Sequence, residues 1–262
     1  MRICYEWMSM LDYSYRRIMM IDIHIHILQG LDDGAMDMPE ALMMLARAQT
    51  AGITDVIATP HSWAVDNSSI IGKATSALNV EALSAGLSLR VHPGCEFNVM
   101  RGEAIRRLGS GLSELTLAGS RYLLTEFSST VAERTFLSSI EEILALGLVP
   151  IVAHPERYAL MWGELTAMKA AKELGALGQI SMGDLLGRAG TQSMEAAFGM
   201  ISDGLCQFCA TDAHTPDKLE LYMQACSIVE SRLGKDAAHR LFRVNPEAVL
   251  ADLSPENIVT AI

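Results

Sequence analysis

Short apolar runs rich in isoleucine, valine and leucine recur along the chain and alternate with longer stretches of helical pattern. Runs of this length that are apolar on both faces are typical of buried parallel strands. Strands that alternate with helices form a parallel sheet. The pattern predicts strands at Met20–Ile23, Ile53–Ala58, Leu87–Val91, Arg121–Glu126, Leu148–Val152, Leu177–Ser181 and Leu205–Ala210.

The stretches between these runs predict helices, and the first has clear end signals. Asp37 is a suitable N-cap, Pro39 and Glu40 suit the first turn, and Gly52 is a suitable stop. About seven strand–helix units without a linker favour a closed or distorted α/β barrel over an open doubly wound sheet. Neither a dinucleotide-binding glycine loop nor a P-loop occurs. Further helices are predicted at Ser68–Ala85, Val131–Leu146, Gly163–Leu174, Thr191–Ser202, Lys218–Leu233, Ala237–Phe242 and Pro246–Ala251.

The N-terminal residues differ from the rest, because charges are interspersed among aromatic residues and methionines. We expect Met1–Ile18 to be an extension outside the fold, such as one read from an upstream start codon. A short packing helix is the alternative. Residues 19–262 are expected to form a single domain. No apolar core or small-residue cleavage site follows the extension, which argues against a signal peptide.

Composition narrows the class of protein. The formal net charge of −11 argues against nucleic-acid binding. Every apolar stretch is shorter than the ~20 residues of a membrane span. Five cysteines, an odd number, fit a reducing cytoplasm better than a disulfide framework. Cys206 and Cys209 have CxxC spacing, but they lie in a predicted buried strand and are interpreted as structural thiols.

Five of the seven histidines lie in short motifs that follow the first, second, fifth and last predicted strands. His24 and His26 alternate at the end of the first strand, so their side chains point to one face. Asp212 and His214 repeat this spacing after the last strand. Two buried imidazoles on one face are costly unless they are coordinated or hydrogen-bonded. Ligands from several strand ends meet at one mouth of a barrel, which predicts a multinuclear metallohydrolase.

Three other candidate ligands occur singly. His61 follows the second strand, and its alternative is a lone loop histidine. Glu96 follows the third strand, where a carboxylate could bridge two cations or simply be an acidic loop residue. Asp33 belongs to an Asp-Asp-Gly sequence that is equally typical of a solvated turn. Nitrogen and oxygen ligands without cysteine suit Mn²⁺, Fe²⁺ or Zn²⁺.

His154 ends a nearly pure aliphatic strand, and Arg157 follows it by three residues. The planar fork of N–H donors on arginine suits phosphate oxygens. The alternative for Arg157 is an ion pair with Glu156 or Glu126.

The combined order H-x-H, D-G, H, E, H, D-x-H resembles the PHP (polymerase and histidinol phosphatase) superfamily. Four segments are more closely similar to the bacterial manganese-dependent protein-tyrosine phosphatases of the capsular-polysaccharide type. They are Met20–Leu28 with the following Asp-Asp-Gly, Ile57–His61, Ile151–Arg157 and Thr211–His214. Gln179–Gly187 also resembles the Gln-Ile-x-x-Gly-Ser-Leu-x-Gly stretch of that family. The similarity extends from Met20 to Pro246, nearly the whole chain.

The resemblance implies a distorted, TIM-barrel-like (β/α)7 barrel of the PHP type that holds up to three divalent metals, Mn²⁺ above all, with Fe²⁺ or Zn²⁺ as alternatives. It implies that Arg157 binds the phosphoryl group. Substrates in this family are phosphotyrosine proteins, notably the tyrosine-rich tail of the autokinase that controls polysaccharide export. The implied metal ligands are His24, His26, Asp33, His61, Glu96, His154, Asp212 and His214.

Two positions depart from the family pattern. Ser62 and Trp63 follow the Thr-Pro-His motif, where members often have a histidine or an arginine. Thr215–Lys218 follows the Asp-x-His motif, where many members carry an arginine that grips phosphate. Metal binding is untouched by either departure, whereas the preference for phosphotyrosine is weakened.

The leading hypothesis is phosphomonoester hydrolysis in the cytoplasm. Arg157 would stabilise charge at phosphorus, and Asp212 or a water molecule at the metals would protonate the leaving group. No cysteine lies in a CxxxxxR phosphate loop, which argues against a thiolate mechanism. One alternative is a small-molecule phosphatase, such as one acting on histidinol phosphate. Another is a non-catalytic regulator that binds metal or a kinase tail. Trp63 would serve as a platform for an aromatic ring or as packing.

Overall fold

Parallel strands form the centre of the molecule in the computed structural model, which describes residues 20–64, 69–99, 105 and 115–261. All pairings between the described strands are parallel. They form a sheet of order β1-β2-β3 and a sheet of order β4-β5-β6-β7-β8. The strands are β1 Met20–Ile25, β2 Ile53–Ala58, β3 Arg90–Pro93, β4 Glu96–Asn98, β5 Tyr122–Glu126, β6 Val149–Ala153, β7 Leu177–Ser181 and β8 Phe208–Ala210.

Backbone hydrogen bonds connect the two sheets at two seams. At the first seam, the amide of Asp212 donates to the oxygen of His24 at 2.9 Å, and the amide of His26 donates to Ala213 at 3.0 Å. At the second seam, the amide of Glu96 donates to the oxygen of Pro60 at 3.1 Å. One apolar cluster has members from both sheets, among them Ile23, Ile57, Leu124, Ile151 and Phe208.

Helices follow most strands and pack through a larger apolar cluster. The side chain of Asp37 caps the first helix by accepting from the amide of Glu40 at 2.9 Å, as predicted. Gly52, with φ of 91°, follows the end of that helix. A π-helical turn over Arg240–Val244 separates the last two helices. The helices are α1 Met38–Thr50, α2 Ser69–Ser84, α3 Glu133–Ala145, α4 Thr166–Leu174, α5 Met182–Leu185, α6 Thr191–Ser202, α7 Tyr222–Leu233, α8 Lys235–His239 and α9 Asn245–Leu250.

Some boundaries differ from the sequence prediction because backbone amides bond elsewhere. Strand β3 begins later than expected, since the amide of Leu87 bonds to the end of α2 and that of Ser88 bonds to the side chain of Gln49. Strand β8 is shorter than expected, since the amides of Leu205 and Cys206 both bond to Met200 at the end of α6. Both members of the CxxC pair are free and buried, as expected for thiols that pack in the core.

Two further predictions from the sequence are an N-terminal extension and the absence of a membrane-spanning segment. The predicted extension Met1–Ile18 lies outside the described residues. Among the helices that the structure describes, none combines the length and apolar character needed to cross a membrane.

Candidate metal centre

The side chains singled out from the sequence lie together at the carboxyl ends of the strands. Their ligating atoms fall into groups whose members are all within 4.8 Å of one another. Because several residues belong to two groups, the groups are contiguous. They are His26 with Asp33, His61 and His214; His24 with His26 and Asp212; His24 with Glu96 and His154; and His61 with Glu96 and Glu126.

Polar neighbours fix the orientation of the two histidines of β1. The Nδ1 atom of His24 lies 2.8 Å from Oε1 of Gln179, and Nδ1 of His26 lies 2.7 Å from Oδ2 of Asp32. Both partner atoms accept hydrogen bonds, so in the neutral imidazoles each Nδ1 carries the proton. The two Nε2 lone pairs then face the same space, only 3.1 Å apart. A cation between them would relieve their repulsion.

Glu96 lies at the centre of the cluster and is fully buried. Its Oε1 is 2.9 Å from Nε2 of His154. Its Oε2 is 2.9 Å from Nδ1 of His61, without the alignment of a hydrogen bond, and makes none with any described residue. A buried acceptor left unsatisfied costs about 1–3 kcal/mol. Shared coordination of a cation would satisfy this oxygen, so the donor set fits a divalent metal.

These contacts determine which side chains of the cluster are charged when no metal is bound. Burial lowers the pKa of His26, but its hydrogen bond to Asp32 and the charge of the nearby Glu96 carboxylate outweigh this and raise the pKa to about 10. Burial raises the pKa of Glu96, but His24, His154 and His26 hold it well below its usual value. Imidazolium protons therefore balance the carboxylates where a metal ion would otherwise do so.

We therefore expect cation binding to release protons. The pKa of His26 lies above neutral pH, so its Nε2 proton must leave before a metal can take that nitrogen. The affinity for Mn²⁺ should rise with pH between about 6 and 8. At least about one proton should be released for each chain that binds metal. Calorimetric titration in buffers of different ionisation enthalpy measures this number. Binding without proton release would contradict the assignment of His26 as a ligand.

The two carboxylates of the Asp-Asp-Gly sequence point in different directions and make different contacts. Asp32 points inward and accepts from Nδ1 of His26, from the amide of Gly34 at 3.0 Å and from the amide of His61 at 3.0 Å. Asp33 has a side chain that is 60% exposed and lies 3.5 Å from His61 and 3.4 Å from His214. The sequence pointed to Asp33 but assigned no role to Asp32.

Gly34 allows this loop to approach β1. A Cβ atom at this position would overlap the backbone oxygen of His26 and lie 2.6 Å from the Cβ of His26. Gly34→Ala should therefore lower the free energy of unfolding by about 1–3 kcal/mol and weaken metal binding. Chemical denaturation and Mn²⁺ titration measure the two effects. Gly72→Ala is the matched control, because a Cβ there meets nothing within 4 Å and the site lies on helix α2. Equal behaviour of the two variants would contradict the steric explanation.

Arg157 borders the cluster, but neither partner considered from the sequence pairs with it. Its Nε donates to Asp184 at 2.7 Å, one terminal nitrogen donates to Asp212 at 2.7 Å, and the other donates to Ser181 at 2.9 Å. Glu156 instead accepts from the amide of Ser181, and Glu126 accepts from Asn98. Arginine has five N–H donors, so two remain for a ligand.

Two residues of the site have left-handed backbone conformations. His154 has φ of 34° and Asp212 has φ of 50°, each directly after or close to the end of its strand. Such angles are uncommon for residues other than glycine and cluster at functional sites. The sharp change of direction moves both side chains from the strand ends into the cluster.

Sequence reasoning missed several side chains that support the cluster. Gln179 is fully buried in β7 and orients His24, and Asp184 anchors Arg157. A glutamine inside an otherwise apolar strand was a usable signal, whereas Asp184 had none outside the family stretch. Trp63 stacks on His61 with ring centroids 5.2 Å apart and remains 52% exposed.

Comparisons with known proteins identify relatives along most of the chain. Residues 20–251 match the family model for capsular polysaccharide synthesis proteins, CpsB/CapC. CapC of Staphylococcus aureus is 34% identical over 207 residues, which cover 75% of this chain and 77% of CapC. Tyrosine-protein phosphatase YwqE of Bacillus subtilis is 30% identical over 226 residues, which cover 85% of this chain and 88% of YwqE.

A solved structure agrees in fold. The crystal structures of YwqE and of CpsB from Streptococcus pneumoniae, described as unique metal-dependent tyrosine phosphatases, include a chain that superposes with a TM-score of 0.81. That match has 29% sequence identity and covers 90% of this chain and 96% of the other.

Fold and site together define an α/β protein with parallel sheets and a cluster of histidines and carboxylates suited to divalent metals. The chain belongs to the CpsB/CapC family of capsular polysaccharide synthesis proteins. The family resemblance inferred from the sequence motifs is confirmed.

Proposed function

We propose that this chain is a metal-dependent tyrosine-protein phosphatase that hydrolyses phosphotyrosine on a protein of capsule or exopolysaccharide synthesis. One observation carries the proposal: the convergence of His24, His26, Asp33, His61, Glu96, His154, Asp212 and His214 in contiguous ligand groups, with Arg157 at their border. The tyrosine phosphatase activity of relatives such as YwqE supports the choice of reaction.

These eight residues are the metal ligands in this proposal, and Mn²⁺ is the cation, with Fe²⁺ or Zn²⁺ as substitutes. Up to three ions are proposed for the four overlapping groups, because neighbouring groups share ligands. When bound, divalent cations lower the pKa of water and offset the negative charge of phosphoryl oxygens. Gln179 and Asp32 keep the Nε2 atoms of His24 and His26 free to coordinate.

Arg157 and Asp212 are the catalytic residues of the proposal. The two free N–H donors of Arg157 bind phosphoryl oxygens and stabilise the charge that grows on them. Burial raises the pKa of Asp212, but His24, His154 and Arg157 outweigh burial and hold the pKa below its usual value. Asp212 therefore acts as an ionised ligand that holds Arg157 in place. A tyrosyl leaving group, with a pKa of ~10, needs less protonation than an alkoxide.

The substrate class follows from the mouth of the site. Trp63 and Asp33 are both half exposed or more at this mouth, so the described part of it is open toward Trp63. An open mouth suits a protein tail better than a small metabolite. The indole of Trp63, stacked on His61, offers a face on which a tyrosyl ring packs.

The partner is a bacterial tyrosine autokinase, whose tyrosine-rich tail would reach this open mouth. The link of the CpsB/CapC family to capsular polysaccharide synthesis supports this choice. Buried free thiols at Cys95, Cys206, Cys209 and Cys226 support a reducing, cytoplasmic location.

We further infer that residues 19–262 form one domain, a distorted (β/α)7 barrel of the PHP type. The two seams between the sheets and the apolar cluster shared by both sheets support closure of the strands into a barrel.

The test is hydrolysis by metal-stripped protein to which Mn²⁺ is restored. A phosphotyrosine peptide and histidinol phosphate are compared at equal concentration, with His154→Ala as the site variant and His239→Ala as a control at an exposed histidine of α8. We expect faster peptide turnover that requires Mn²⁺ and His154 but not His239. Preference for histidinol phosphate would indicate a small-molecule phosphatase. Metal binding without turnover of either substrate would indicate a regulator.

A further inference from the structure

A pocket of about 130 Å³ adjoins the cluster on the side of Arg157, and its wall carries three cationic side chains and the two carboxylates of Asp184 and Asp212. Its wall includes Arg157 and Asp212 from the site, and Arg188 and Lys218 from neighbouring segments. The formal net charge of the chain is −11, whereas the cations in this wall outnumber the carboxylates by three to two.

The two outer cations differ from Arg157 in their bonding. The fork of Arg157 is held by Asp184, Asp212 and Ser181, whereas the side chains of Arg188 and Lys218 have no hydrogen bond or ion pair with another residue in the ranges the structure describes. Both are exposed. They keep their full set of donors for a ligand from solution.

The carboxylates nearest to Lys218 along the chain are engaged elsewhere. Asp217 and Glu220 both accept from Arg47 of helix α1, at 2.9 and 2.6 Å. This pairing directs them toward α1 and leaves Lys218 uncompensated. The 3₁₀ turn Pro216–Leu221 that carries Lys218 is fixed by buried side chains.

The position of Arg188 is also fixed by its backbone. Its amide donates at 3.0 Å to the oxygen of Gly183, which lies in the short helix α5 that ends three residues earlier. Gly187, with φ of 75°, makes the turn that brings the next residue back over the pocket. The backbone at Arg188 and at Lys218 is therefore held in place by these contacts, whereas the two side chains extend into solvent.

We propose that Arg188 and Lys218 form a subsite for an acidic residue, Asp or Glu, that flanks the phosphotyrosine of the substrate peptide. The inference rests on the proposed function and extends it to substrate selection. Arg157, held by three hydrogen bonds beside the proposed metal ligands, serves the phosphoryl group, and the two outer cations serve a carboxylate farther along the peptide. A strongly acidic protein repels an acidic peptide, so a local pair of cations decides whether such a peptide binds.

The contribution of exposed cations is modest and sensitive to salt. The double variant Arg188→Ala/Lys218→Ala should raise KM about 3–10-fold for a phosphotyrosine peptide with Glu on both sides, with kcat unchanged. KM for the same peptide with Gln in place of Glu, and for p-nitrophenyl phosphate, should stay the same. The preference of the unaltered protein for the Glu peptide should weaken as salt is added.

The matched control is Lys73→Ala/Arg134→Ala, which removes the same charge from exposed positions on α2 and α3. A charge reversal, Arg188→Glu/Lys218→Glu, should transfer the preference to a Lys-flanked peptide, an effect that loss of local structure would not produce. Equal losses on all three substrates would overturn the proposal, because the two cations would then hold the reacting phosphoryl group. Unchanged kinetics with every substrate would overturn it as well.

Failure of the proposed function has a separate signature. The unaltered protein would then turn over neither peptide, and fluorescence anisotropy of the labelled peptides with Mn²⁺-loaded protein would test the subsite directly. Tighter binding of the Glu peptide that is lost in the double alanine variant would support the subsite. Equal affinity for the Glu and Gln peptides would overturn it.

Discussion

Glu96→Gln should reduce Mn²⁺-dependent hydrolysis of a phosphotyrosine peptide on the order of 10³-fold. The substitution keeps the size of the side chain but removes the charge of a carboxylate that lies within 3.5 Å of His24, His26, His61 and His154. Without that charge, the two ligand groups that share Glu96 would hold divalent cations less tightly. Bound Mn²⁺ after dialysis should decrease along with activity, and both can be measured on the same preparation.

Two controls separate this effect from a general loss of acidic side chains. Glu133→Gln, in the exposed first turn of α3, should leave metal content and kinetics unchanged. Glu126→Gln should have an intermediate effect, since Glu126 bonds to Asn98 and lies 3.7 Å from His61 at the border of the cluster. If the Glu96→Gln variant folded normally and kept full activity, the assignment of Glu96 as a metal ligand would be wrong.

Arg157→Lys should lower kcat/KM about 10²-fold while Mn²⁺ remains bound. A lysine retains the charge but replaces a planar fork by a single ammonium, which cannot reach Asp184, Asp212 and Ser181 together and still donate to phosphate. The loss should appear with the peptide and with p-nitrophenyl phosphate alike, because the contact is to the phosphoryl group that both share.

The control for Arg157 is another arginine bonded to an aspartate. Arg121 donates to Asp252 at 2.9 Å through Nε, away from the cluster, and Arg121→Lys should not change the kinetics. If Arg157→Lys retained full activity on both substrates, the guanidinium would serve only to position Asp212.

The sequence carried most of the information about the strands and the first layer of the site. Strand β7 and helix α6 have the predicted bounds, and all eight predicted ligands lie in the cluster. The strand bounds and the proximity of these side chains could be predicted because apolar runs and alternating histidines are local patterns. The short strand β4 was missed because a three-residue segment after Pro-Gly has no period to recognise.

Contacts between residues that are far apart in the sequence could not be predicted from local patterns. The partners of Arg157 could not be found from the sequence, because Asp184 and Asp212 are 27 and 55 residues away from it. The division of labour between Asp32 and Asp33 depends on the direction in which each side chain leaves the loop. An irregular pairing of β1 with β2 between Asp22 and Ile25 likewise has no sequence signal.

The seams between the two sheets have a consequence for local opening of the fold. The amides that bond across them belong to His26, Glu96 and Asp212, whose side chains are also proposed ligands. A bound cation therefore ties together the strands at the same places where the sheets meet. Hydrogen exchange at these three amides should slow more on Mn²⁺ addition than exchange at amides inside β6 or β7, so that metal supply would govern how often this end of the molecule opens.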